Sequence, residues 1–128
     1  MRHKRHYTLE EATATLPRVA ELIERLRDAR RRLADTEARE ALAEAAGANG
    51  GGAPGRVVSG GFLDVRAALI ELRELEVVLR DLDRGLVDFP ALRDGREIYL
   101  CWEEGEAEIA YWHEPDAGFA GRRPLEDG

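Results

Sequence analysis

The sequence predicts an α+β fold: a short N-terminal helix, a long antiparallel helical hairpin of coiled-coil character, and a small C-terminal antiparallel β unit. Three observations predict it. Apolar residues recur every 3.5 positions through the first third of the chain, a glycine-rich stretch follows, and beyond Gly85 the pattern changes to short extended runs rich in aromatics. The 128 residues suit a single domain, and 35% charged with 44% hydrophobic residues describe a folded, soluble one.

Residues 1–7 carry no apolar pattern and read as a flexible N-terminus. Thr8-Leu9-Glu10-Glu11 is a capping box, which opens the helical region 8–46. Pro17 is expected to break it into a short helix over about 9–15 and a second, longer one, because proline disrupts a helix interior. In the longer helix Val19, Leu22, Leu26, Ala29, Leu33 and Thr36 alternate in steps of three and four. Glu21–Arg25, Asp28–Arg32 and Asp35–Arg39 support it as acid-before-base pairs one turn apart. Residues 47–61 read as a glycine-rich linker.

The next helix is expected over 62–84. Phe62, Val65, Leu69, Leu72, Leu75 and Leu79 form one apolar stripe, and Leu63, Ile70 and Val77 form a second line beside it. Gly85 reads as its C-terminal stop. The β unit spans 85–113: a short extended run ending at Pro90, a strand from Glu97 to Trp102, and a strand from Ala107 to His113. Apolar matching pairs Leu100 with Ile109 and Ile98 with Tyr111. That register puts Ile98, Leu100, Trp102, Ile109, Tyr111 and His113 on the face toward the helices. Residues 114–128, with two prolines and two glycines before Asp127, read as an irregular tail.

Charge and cysteine content narrow the function classes. The net charge is −7 and the acidic excess lies in the C-terminal part, so nucleic acid is not an expected partner. No apolar run approaches ~18 residues, so no membrane span is expected. The single cysteine, Cys101, fits a reducing cytoplasm.

Several strings carry a resemblance to a known family. They are Tyr7-Thr8-Leu9-Glu10-Glu11-Ala12, Gly85-Leu86-Val87-Asp88-Phe89-Pro90-Ala91, Gly95-Arg96-Glu97-Ile98-Tyr99-Leu100-Cys101-Trp102, Trp112-His113-Glu114 and Gly118-Phe119-Ala120-Gly121-Arg122. Together they resemble the bacterial domain-of-unknown-function family 2203. The resemblance implies no activity, and no catalytic residue comes with it.

The residues leave two functional readings. The first is a non-enzymatic interaction module, a homodimer that buries Leu63, Ile70 and Val77. A helical hairpin with a small sheet has too few layers to cover that second line. The alternative is a small-molecule or metal-binding protein, with enzymatic activity left open and the cofactor unspecified. Its site lies at the β unit and tail, with Trp102, Trp112, His113, Glu114 and Arg122 as ligand-binding candidates, because aromatics and polar donors concentrate there. His113, Glu114, Asp116, Asp88 and Cys101 supply nitrogen, oxygen and sulfur donors in that region. No ligand spacing of a known metal motif is present, so no metal site is assigned. His113 reads as a hydrogen-bonded histidine at a strand end, and Cys101 as a buried thiol.

Overall fold

The computed structural model describes residues 1–45 and 52–127. Helix α1 runs over Leu9–Ala45 and helix α2 over Gly52–Leu75. A five-stranded antiparallel sheet follows, in the order β1 (Val78–Asp81), β2 (Leu86–Arg93), β3 (Arg96–Glu103), β4 (Tyr111–His113) and β5 (Arg123–Pro124). The fold is therefore α+β. No helix among the described residues is long and apolar enough to cross a membrane.

The start of α1 is built as a capping box. The Glu11 amide donates to Thr8 Oγ1 at 3.1 Å, and the Thr8 amide donates to Glu11 Oε1 at 2.9 Å. The expected break at Pro17 does not occur, and α1 is one continuous helix through it. Proline removes one amide donor, but Ala12, Val19, Leu22 and Ile23 on either side are fully buried, and their packing outweighs that loss. Of the apolar seam on α1, Val19, Leu22, Leu26, Ala29 and Thr36 are buried.

Helix α2 corrects the sequence reading at both ends. It begins at Gly52, so the described part of the expected 47–61 linker is helical; residues 46–51 lie outside the described ones. It ends at Leu75 rather than near Arg84. Glu76 takes the left-handed conformation (φ 57°), its amide donates to Arg73 at 3.0 Å, and the Val77 amide donates to Leu72 at 3.1 Å. This is a Schellman stop with glutamate where glycine is usual. Val78 to Asp81 then forms a strand, and Gly85 (φ 63°) serves the turn into β2.

The inward face of α2 is also rotated from the expected stripe. Gly61, Ala68 and Leu72 are buried, with Val65 and Leu75 half-buried, while Phe62, Leu63, Leu69 and Ile70 are exposed. Small residues let α2 lie close to α1: a Cβ at Gly61 would stand 3.0 Å from Leu33 Cγ. Arg18 pairs with Glu71, and Arg32 with Asp64, along the same contact.

The sheet presents one face to both helices. Val87, Phe89 and Ala91 of β2, Ile98, Leu100 and Trp102 of β3 and Trp112 of β4 join Ala12, Val19, Leu22, Ile23, Leu26, Ala68 and Leu72 in one core. The β3–β4 register differs from the expected one. Tyr99 pairs with His113, Leu100 with Trp112 and Cys101 with Tyr111. An odd shift moves alternate residues of β4 across the sheet, so Tyr111 and His113 leave the helix-facing side and Trp112 enters it. The connection after Glu103 is the cause. Glu106 turns it by accepting the Glu103 amide on Oε1 (2.7 Å) and the Trp102 indole N–H on its carbonyl (3.0 Å), and Ile109 drops into the core from a non-strand segment.

Residues 1–7, expected to be flexible, are held in place: residues 2–5 are bound by carboxylates, and Tyr7 is buried in the core against Phe89. The two oxygens of Glu97 accept the amides of Arg2 and His3 at 2.9 and 3.0 Å, and those of Glu76 accept Lys4 and Arg5 at 3.1 and 3.0 Å. The Tyr7 amide donates to the Pro90 carbonyl at 2.6 Å, beyond the point where β1 stops pairing with β2. The tail is likewise partly ordered: 3-10 turns at Phe119–Gly121 and Leu125–Asp127 flank β5.

Candidate functional site

Residues on adjacent strands whose side chains share a face stand a few ångströms apart. On the outer face this rule assembles a polar cluster. Asp88 of β2 pairs with Cys101 of β3, and His113 of β4 pairs with Tyr99 two residues before that cysteine. One donor atom from each of Asp88, Cys101 and His113 lies within 4.8 Å of the other two, and each of the three residues is 1% exposed.

Every member has a supporting partner. His113 Nε2 is 2.9 Å from Asp88 Oδ2, and its Nδ1 is 2.7 Å from the carbonyl of Glu114. Arg80 Nε donates to the same Asp88 oxygen at 2.8 Å. Arg80 is the extra residue at an irregularity in the β1–β2 ladder, and such bulges re-aim side chains. Arg122 Nη1 lies 3.8 Å from Cys101 Sγ, and its Nη2 pairs with Glu106 at 2.5 Å. Asp88 Oδ1 is buried with no hydrogen-bond partner.

Burial opposes charge on His113, but its hydrogen bond to Asp88, the adjoining Cys101 and the Glu114 carbonyl together push its pKa up to about 10. Two acceptor oxygens at the two ring nitrogens call for two N–H donors, which an imidazolium supplies. Glu97, under the N-terminal segment, shifts the other way. Its burial raises the pKa, yet His6 and the Arg2 and His3 amides hold it down to about 2.

The helix-facing side of the same strands carries a second feature. A cavity of about 560 Å³ is lined by Arg93, Asp94, Arg96, Ile98, Trp112, Glu114, Arg123 and Pro124, with no residue from either helix. Trp112 and His113 are neighbours in sequence, so they project to opposite faces of β4 and serve the two features separately.

The family model described as an uncharacterized conserved protein (DUF2203) matches residues 5–125. The chain belongs to the DUF2203 family. No curated protein and no solved structure matches it.

In this DUF2203 member the candidates named from sequence separate into three places. His113 and Arg122 enter the buried cluster. Trp112 and the Glu114 side chain line the cavity. Trp102 lies in the core with its indole bound to the Glu106 carbonyl, apart from both features. Of the expected second apolar line only Val77 is corrected: it lies beyond α2 and is buried in the core, while Leu63 and Ile70 are 59% and 36% exposed. Asp88 and Cys101 were visible in sequence as donors, but only the β2–β3 register brings them together. Arg80 was hidden inside an expected helix.

Proposed function

We propose that this DUF2203 protein binds a divalent transition metal ion of the zinc class through Asp88, Cys101 and His113. The observation that carries the reading is the meeting of three different donors, from three strands, in one buried place. Imidazole, thiolate and carboxylate together suit zinc and its neighbours better than calcium or magnesium. Metal-bound histidines characteristically donate their other N–H to a carbonyl, as His113 does to Glu114. Arg80 on the carboxylate and Arg122 near the sulfur supply outer support of the same kind. The orphan Asp88 Oδ1 offers a fourth donor atom. An entering dication displaces one proton from His113 and one from Cys101, so the charge of the cluster is unchanged. The cluster's burial favours an ion that fixes the sheet over one presented to substrate. A reducing cytoplasm would keep the Cys101 thiol free to ligate.

The test is native mass spectrometry after chelation and back-titration with zinc, alongside a denaturing run. One ion per chain is expected, with Cys101→Ser and His113→Gln each weakening retention by about tenfold or more. A wild-type chain that takes up no ion, or a Cys101→Ser chain that retains it equally, overturns the reading. Far-UV circular dichroism of both variants separates lost ligation from lost fold.

The outward side of α2 favours a second reading, self-association into a homodimer. Phe62, Leu63, Leu69 and Ile70 are four of the large apolar side chains left exposed, and all lie on one side of this helix. Light scattering on a sizing column is expected to give a dimer for the wild type and a monomer for Leu63→Glu/Ile70→Glu. A monomeric wild type rejects self-association without touching the metal reading.

A further inference from the structure

We infer that the cavity beside Trp112 is a binding site for a small oxyanion, a carboxylate or phosphate group clasped between Arg93 and Arg123. The site is independent of the metal cluster, since it opens on the other face of β4.

The register places the parts. Arg123 of β5 pairs with Trp112 of β4, so both project to the helix-facing side, where Ile98 and Arg96 of β3 also point. The Arg93 guanidinium lies 4.6 Å from the Trp112 ring centroid and that of Arg123 lies 5.5 Å from it. The indole thus holds two cations beside one cavity. Asp94 and Glu114 also line the cavity, but neither is ion-paired with Arg93 or Arg123. Arg96 is paired with Glu114 at 3.7 Å, whereas among the described residues Arg93 and Arg123 have no ion-pair partner. In a chain of net charge −7, a recess lined by three arginines and two carboxylates, with two of the arginines outside any ion pair among the described residues, is a local exception to the acidic surface.

The second observation concerns the tryptophan itself. Trp112 is 7% exposed, and its Nε1–H is buried without an acceptor. That N–H is enclosed by protein, so the indole serves the cavity through its ring, beside which both guanidiniums lie. Guanidinium forks match carboxylate and phosphate oxygens in pairs, which sets the chemical class. The cavity's size, about 560 Å³, fits a metabolite-sized molecule rather than a polymer.

Two-dimensional ¹H–¹⁵N spectra test this directly, because the two tryptophan indoles report separately. Inorganic phosphate and succinate are titrated in turn, the two arms distinguishing a phosphate from a carboxylate ligand. The Trp112 indole peak is expected to move saturably with at least one probe, while that of Trp102, bound to the Glu106 carbonyl, stays in place. Arg93→Ala/Arg123→Ala is expected to weaken binding by about tenfold or more with the Trp102 peak unmoved, which shows the fold intact. Arg31→Ala, a distant exposed control, is expected to bind as wild type. If neither probe moves the Trp112 peak, or the double variant binds as well as wild type, the inference is overturned.

Discussion

Asp88→Ala is expected to lower the unfolding free energy of the chelator-treated protein by about 3–5 kcal/mol, the usual cost of removing one partner from a buried ion pair. The carboxylate accepts from His113 and Arg80 on one oxygen, and Asp88 and His113 are each 1% exposed. Without it the imidazolium either stays charged in an apolar place or gives up its proton against the pull of the Glu114 carbonyl. Urea unfolding followed by tryptophan fluorescence measures the change. A loss under about 1 kcal/mol would mean that water reaches His113 in solution, and the closed cluster would be wrong. Arg80→Ala removes only the half-exposed partner of the same carboxylate, so it is expected to cost about 1 kcal/mol or less.

Acid is expected to loosen the protein through Glu97. Its folded pKa of about 2 lies below the ordinary value of 4.5, so its contribution is complete above about pH 4.5 and is lost as the pH falls through about 2. The size is about 1–2 kcal/mol after allowance for solvent screening. What is lost is specific: the carboxylate that accepts the Arg2 and His3 amides and His6 Nε2. Unfolding midpoints in urea between about pH 5 and about pH 2 measure it. Glu97→Gln should flatten this part of the profile, and a variant with an unchanged acid slope would remove Glu97 from the account.

The capping box at Thr8 and the α1 seam were legible because each depends on local spacing alone. A sheet after the helices was legible for the same reason, but it begins at Val78 rather than after Gly85. The end of α2 was not, since Glu76 occupies the left-handed position where glycine gives the usual signal. With that stop unseen, Val77 joined a helical line and Arg80 lost its place on a strand. The β3–β4 register was hidden by the Glu106 turn, whose bonds to Glu103 and Trp102 depend on a side chain and an indole rather than on a turn dipeptide. The buried cluster required that register. Its donors were all noticed in sequence, but on the expected pairing His113 faced the helices and Cys101 faced away.

The short outer strands of the sheet have one more consequence. β1 has four residues and an irregularity between Leu79 and Asp81, and β5 has two and ends on Pro124, which has no amide to offer. Both border strands are thus too short or irregular to offer a long straight template to another strand. Such borders work against edge-to-edge growth of the sheet into fibrils.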